Sequence, residues 1–320
     1  MARYFAGNTL AAFFRTNLDC VESTSSGTFD SGFVSNSILV TGPAGAGDFI
    51  RTYAFSATGT VWTHFEYYTT ATTGTDQIAL WRNGSTGVFR LKPSNMSTVQ
   101  PQYWNGSAWV NTGSPIDMTG TRRRVDIKID LGSGFELYYA GTKISEGSGW
   151  SGGGTTITDV AWCYPDVSFD NRSFYVSQVL VADFDTRDSR YHQATMDGNS
   201  ATDTGGTGTY TDVSETVLNE STAEYVTVSG NRMGQTYANI TVPSGYVIGG
   251  ACMAARGRIS GAITDGKLGF LSSASRSTST GRTYTTGYEP RGYIIETDPA
   301  TSSAFTQSGF NALETFFEAV

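Results

Sequence analysis

The segment Arg124-Val125-Asp126-Ile127-Lys128-Ile129-Asp130 alternates polar and apolar residues with period two, and this rhythm recurs along the chain. A strand sends successive side chains to opposite faces, so the alternation buries Val125, Ile127 and Ile129. It turns Asp126, Lys128 and Asp130 outward as a polar face. A Gly-Ser-Gly turn at 132–134 leads into Phe135–Tyr139, and the turn Ala140-Gly141 leads into Thr142-Lys143-Ile144. Other segments carry the same signals. Val61–Tyr68 is rich in aromatic and β-branched residues, Gly87–Lys92 alternates, and Ser173–Ala182 is long enough to cross a whole sheet. Gln102–Val110 reads as a hairpin about Asn105-Gly106, a pair suited to a tight type I′ turn. Asn83-Gly84-Ser85 marks another turn.

Composition agrees with short strands joined by turns. Aromatic residues make up 13% of the chain, and there are 38 glycines. Charged residues are only 16%, below the ~25% of an average soluble domain. With 320 residues the chain is long enough for two cores. From Asp183 to Gly208 the sequence is polar and offers little to a core, which predicts a linker. Strand signals resume at Ala223–Val228, Tyr237–Val242, Tyr246–Ala255, Lys267–Leu271 and Gly292–Thr297. At the end, Phe310, Leu313 and Phe317 stand at helical spacing within 306–317, with Thr306 or Ser308 placed to cap. The expected fold is therefore all-β: two consecutive β-sandwich, jelly-roll-like domains with one short C-terminal helix. Their expected bounds are 1–185 and 209–320, with a linker at 186–208. The lack of a tandem repeat argues against a propeller or a β-helix.

The net charge of −8 opposes non-specific nucleic-acid binding, which needs a basic surface to displace counterions. The one basic cluster, Arg122-Arg123-Arg124, reads as a solvated strand edge. Cys20, Cys163 and Cys252 are odd in number and widely spaced, so neither a disulfide framework nor a zinc site is expected. Cys163 and Cys252 read as small buried hydrophobes, compatible with folding in a reducing cytoplasm. No apolar run approaches the ~20 residues that span a bilayer. The N-terminal residues read as lacking a secretion signal, so lysis of the producing cell is the expected route outside.

Candidate chemistry is sparse. Paired carboxylates of the kind glycoside hydrolysis needs are not found as a Glu-x-Asp-x-x-Glu run, and no enzyme is expected. His64 and His192 read as surface or edge histidines. Calcium has no specific motif, the loop acids at hand being Asp166, Asp170, Asp183 and Asp185. Glycan binding is the leading ligand expectation, through Tyr103, Trp104, Trp109, Trp150 and Tyr164, which sit near turns and alternatively fill the core. Phe310, Leu313, Phe316 and Phe317 offer an apolar subunit contact, or else close the second domain's own core.

The run Arg124–Asp130, the glycine turn, Phe135–Tyr139 and Ala140-Gly141-Thr142 together resemble the concanavalin A-like, laminin-G-like jelly rolls. Val176–Asp183 followed by Asp185-Thr186-Arg187 looks like the exit from such domains in phage structural proteins. The second half resembles a C-terminal module of tailed-phage virion proteins. That resemblance rests on Asp212–Thr216, Gly234-Gln235-Thr236-Tyr237, and the ending Glu296-Thr297-Asp298-Pro299-Ala300-Thr301, Phe305-Thr306, Asn311-Ala312-Leu313-Glu314. The pattern departs where Phe305 replaces an expected Trp and Ser302-Ser303 an expected Gly. What the resemblance implies is a structural protein, made in the host cytoplasm, on the exterior of a tailed-phage particle. It would be a fibre, spike or decoration subunit, self-associating as a trimer beside other virion proteins and contacting host surface polysaccharide. The alternative is a carbohydrate-binding module or lectin without a virion role.

Overall fold

The computed structural model describes residues 1–15, 20–23, 37–41, 49–69, 77–94, 98–118, 122–151, 154–164, 173–213 and 223–320. The chain divides into two compact units at His192/Gln193.

The first unit is a β-sandwich. Sheet I runs Thr142–Ser148, Gly134–Tyr139, Arg123–Asp130, Thr60–Thr69, Ser173–Ala182, Ser37–Thr41, Cys20–Ser23, with Arg3–Gly7 also on Ser173–Ala182. Sheet II runs Trp109–Asn111, Thr98–Trp104, Thr86–Pro93, Gln77–Asn83, Asp159–Tyr164, Ile50–Thr52, Phe13–Arg15, with Ile116–Asp117 on Thr98–Trp104. All these pairings are antiparallel. The alternation in Arg123–Asp130 does what a pleated strand requires, since Val125, Ile127 and Ile129 are fully buried between the sheets. Aromatic rings fill the interior. Phe65 meets Trp162 edge-on at 5.7 Å, and Phe89 reaches Phe135 at 5.0 Å. One polar tie crosses this core, as the Trp81 indole N–H donates to Thr63 Oγ1 at 2.8 Å. The hydroxyl thus satisfies an indole that burial would otherwise penalise.

The outer face of sheet I corrects three expectations at once. Asp126 does not face water, and His64 is neither a surface nor an edge residue; both side chains are sealed from solvent. His64 Nδ1–H donates to Asp126 Oδ1 at 2.8 Å across adjacent strands. The cover comes from the polar segment after Ala182, which turns back over the sheet. Thr186, itself buried, donates its hydroxyl to the same Oδ1 at 2.9 Å. The Arg187 guanidinium stands over Tyr138 at 4.7 Å and Trp62 at 5.6 Å. What composition marks as the start of a linker is a strap fastened by one hydroxyl and one guanidinium. Lys128 and Asp130 keep partly open positions and pair with each other at 2.8 Å. The arginine cluster is also less solvated than expected: Arg122 pairs with the buried Glu66 at 3.0 Å and Arg123 lies over Tyr139.

The second unit packs one larger sheet against a two-stranded ribbon. Sheet III runs Met196–Thr204, Arg232–Tyr237, Leu313–Ala319, Asp265–Ser272, Ser275–Thr278, with Arg282–Thr283 on Asp265–Ser272. The ribbon pairs Ala251–Gly257 with Glu289–Ile295. Ala251, Met253 and Ile295 of the ribbon meet Leu268, Phe270 and Leu313 of the sheet, with Phe305 closing the side. The linker expectation at 186–208 fails here too, because Met196–Thr204 pairs along Arg232–Tyr237. Its Gly, Asn, Ser and Thr residues suit an edge strand that contributes hydrogen bonds more than apolar area. Three strand expectations shrink: in Ala223–Val228 only Tyr225 pairs, as an isolated bridge to Thr207, Tyr237–Val242 is strand only at Tyr237, the end of Arg232–Tyr237, and Tyr246–Ala255 is strand only from Ala251.

The C-terminal helix is real but ends early. It covers Gln307–Asn311, with the Thr306 hydroxyl accepting from Gly309 N as its cap. Leu313–Ala319 is a central strand of sheet III. The 310/313/317 spacing therefore belongs to two elements. Beyond Ala312 the residues that matter alternate, with Leu313, Thr315 and Phe317 on the core side and Phe316 on the other. Tandem aromatics at 316–317 mask that period.

One alkaline transition follows from the second unit. Tyr284 is buried, and that burial pushes its phenol up to about 12. The folded state thus holds the proton more tightly than the unfolded chain, whose tyrosines titrate near 10. Stability from this group is complete below about pH 10 and is lost as pH rises toward 12, by roughly 2–3 kcal/mol. Melting of the second unit should fall over that window, and Tyr284→Phe should remove part of the fall, the rest belonging to Tyr237, whose phenol burial likewise pushes up to about 12.

Candidate functional site

The five expected sugar-binding rings do not form one platform. Tyr103 and Trp150 lie inside the sandwich, 9% and 7% exposed, stacked on each other at 5.1 Å, with Trp150 also stacked on Phe89 at 5.5 Å. They are core residues, and their expected ligand contact is corrected on that ground. The backbone of Tyr164 pairs with Gln77, and its side chain lies outside the described residues. Trp104 and Trp109 remain, half-buried at the end of sheet II.

These two face each other directly across the hairpin, edge to face with centroids 5.6 Å apart. The loop between them has four residues rather than the expected two. Asn105 closes it, its Oδ1 accepting from Ser107 N, Ser107 Oγ and Ala108 N at 2.9, 3.0 and 2.8 Å. A side-chain oxygen thereby does the turn's work, as Asn commonly does. Trp109 lies back over the sheet because residue 87 has no side chain: a Cβ there would fall 2.5 Å from its ring. The Arg90 guanidinium covers the indole at 4.1 Å to the centroid.

Behind the rings a single cross-strand row runs Arg51, Ala161, Leu80, Arg90, Gln102, Asn111 on the outer face of sheet II. Within it, Arg90 Nε donates to Gln102 Oε1 at 2.7 Å, and Gln102 Nε2 donates to Asn111 Oδ1 at 2.7 Å. Arg90 is 5% exposed and Asn111 is open to solvent. Sequence reasoning found the two tryptophans but missed Arg90, Gln102 and Asn111. Their signal was present: Gln102 and Asn111 occupy equivalent alternating positions on either side of the Asn-Gly turn, and Arg90 stands opposite Gln102 in the strand before it.

The remaining candidates do not assemble a site. The His64–Asp126–Thr186 group is closed to solvent, and His64 Nε2 and Asp126 Oδ2 have no hydrogen-bond partner among the described residues. Of the loop acids expected for calcium, Asp166 and Asp170 lie outside the described residues. Asp183 Oδ1 accepts from Ala2 N at 2.6 Å, and Asp185 forms an ion pair with Arg187 that draws its carboxyl below the usual range. Among the described residues, no group of three or more His, Cys, Asp or Glu is placed to hold a metal ion. Leu313 and Phe316 are interior to the second unit, and Phe310 and Phe317 pack against its core, so the expected subunit contact is corrected to a core role.

No family model matches the sequence, and no curated protein matches it. Among solved structures, the T. cruzi calreticulin globular domain is similar at 11% identity, covering 57% of this chain and 89% of that one, with a TM-score of 0.41. A cellulose-induced protein, Cip1, is similar at 14% identity, covering 56% and 94%, with a TM-score of 0.41. An alginate lyase of polysaccharide lyase family 7, AlgAT5, is similar at 13% identity, covering 54% and 94%, with a TM-score of 0.37.

Proposed function

We propose that this chain is a binding protein rather than a catalyst, and that it contacts surface glycan through the Trp104–Trp109 hairpin. The observation that carries the reading is the join of partly exposed indoles to a row of fixed polar side chains. Sugar rings present apolar faces flanked by hydroxyls, so they need an aromatic surface beside hydrogen-bonding groups held in place. Here the rings are fixed by Gly87 and Arg90, and the amides by Arg90. The buried His64–Asp126 pair has no open path for a substrate and is read as a fastening.

The setting we propose is the exterior of a tailed-phage particle, supported by the residues of the second unit that resemble phage virion modules. Self-association, as a trimer, would raise a weak glycan contact through multivalency. The test is direct. Trp104→Ala should reduce retention on host-surface polysaccharide about tenfold or more, as loss of a central aromatic contact does elsewhere. Melting of the first unit should change little, because Trp104 is outside the core. Unchanged retention would remove the hairpin from the reading.

A further inference from the structure

The ligand's charge can be read from the direction of the hydrogen bonds in the hairpin row. Arginine has only donors, so the atom of Gln102 that meets Arg90 Nε must be its carbonyl oxygen. That choice fixes the rest. Gln102 then turns its NH2 toward Asn111, whose oxygen must accept it. The Asn111 NH2 is left facing solvent. The same logic applies at the turn. Asn105 Oδ1 is consumed by three donors of its own loop, which leaves the Asn105 NH2 as that side chain's outward group. The indoles of Trp104 and Trp109 carry N–H donors and no acceptor. Asn111, Asn105 and both indoles therefore present N–H outward, whereas Gln100, beside Lys92, spends its NH2 on the carbonyls of Pro101, Thr112 and Gly113.

Positive charge stands beneath and beside them. Arg90 lies under Trp109, and Lys92, two residues along the same strand face, flanks the row opposite Gln100. The described acids on this face stand away from the hairpin: Asp117, opposite Thr98 at the far end of the Thr98–Trp104 strand, and Asp159, paired with Arg82 at 3.4 Å. A neutral sugar hydroxyl donates as well as accepts, and Asn111, Asn105 and the two indoles offer its donors no side-chain acceptor. A carboxylate or sulfate has acceptors only, and it gains from the nearby cations.

We infer that the hairpin site takes an acidic glycan, with a carboxylate or sulfate group of the sugar seated at Asn111 beside the Trp104 ring. This rests on the glycan-binding reading above. The carboxylate and the sulfate share one chemistry, and the probes separate them.

The experiment measures binding of the full chain to polygalacturonate, chondroitin sulfate and carboxyl-reduced polygalacturonate by titration calorimetry at low and high salt. It compares the native protein, Trp104→Ala and Asn111→Asp. Asn111→Asp keeps the oxygen that accepts from Gln102 and replaces the outward donor with a carboxylate, so folding is retained. The expected result is binding to a charged polymer that weakens with salt, falls about tenfold in Asn111→Asp, and is absent for the reduced polymer. A preference between the uronate and the sulfate assigns the acid. If the reduced polymer binds as well, or Asn111→Asp stays within twofold of native, the acidic ligand is refuted while a Trp104→Ala loss keeps the glycan reading. If no polymer binds and Trp104→Ala changes nothing, both readings fall.

Discussion

Asp126→Ala is expected to destabilise the first unit by about 4 kcal/mol, one of the two largest effects foreseen for any single change. The carboxylate oxygen accepts from both His64 and Thr186, and all three side chains are closed to water. Its removal leaves two buried donors without a partner, at roughly 1–3 kcal/mol each, and opens a small cavity beside them. Asp126→Asn keeps one oxygen and should recover about half of the loss. The readout is clean because all six tryptophans lie in the first unit. Denaturant unfolding followed by tryptophan fluorescence reports on it alone. A shift below about 1 kcal/mol in Asp126→Ala would show that water replaces the carboxylate and that the strap is not fastened there.

Phe316→Ala is expected to cost the second unit about 3–5 kcal/mol, the range for deleting a large buried aromatic. The ring is fully buried although it points away from the main core of its unit. It lies on bare backbone at Gly269, where a Cβ would fall 2.3 Å from the ring. Arg232 and Arg276 stand over it at 5.7 and 5.8 Å from the centroid. Those arginines are held by Glu318 at 2.5 Å and Asp203 at 2.9 Å. One phenyl thus anchors strands on both sides of Leu313–Ala319. Far-ultraviolet circular dichroism should show an early transition while tryptophan fluorescence holds. If instead the second unit keeps its stability and the mass in solution drops, Phe316 is a subunit contact after all.

The sequence pattern conveyed the first unit well where one face of a strand meets the core. Val125, Ile127 and Ile129 needed nothing beyond alternation. It misled where both faces of a strand are covered. Asp126 and His64 look outward by period, and only the strap from residues 183–192 makes them interior. A covering segment that is itself polar leaves no hydrophobic signature. The second unit was harder to read because its strands alternate small residues with single apolar anchors, as in Met196–Thr204. Tandem aromatics at 316–317 fit a helical stripe as well as a strand. The hairpin aromatics were legible in part: Trp104 and Trp109 announce themselves, but the exposure of a ring depends on the sheet beneath it. The signature residues of the ending turn out to be architectural. The Asn311 amide brackets both backbone groups of Ile240 at 3.0 and 3.1 Å. Asp298 accepts from Ala300 N at 2.9 Å to hold its turn. Such a signature identifies a way of folding and carries no chemistry of its own.

The first and last strands of the first unit lie side by side. Arg3 pairs with Ala182, Ala2 O accepts from Asp183 N at 3.0 Å, and the Asp183 carboxylate returns the bond to Ala2 N. Arg3–Gly7 and Ser173–Ala182 are neighbours in one sheet, and the strap follows the second of them. A body with that geometry behaves as a cassette. It can be spliced into a loop of an unrelated scaffold, or exchanged between scaffolds, provided the strap to His192 travels with it. The lineage of such a unit can then differ from that of whatever chain carries it, and its binding face can be swapped without redesign of the rest.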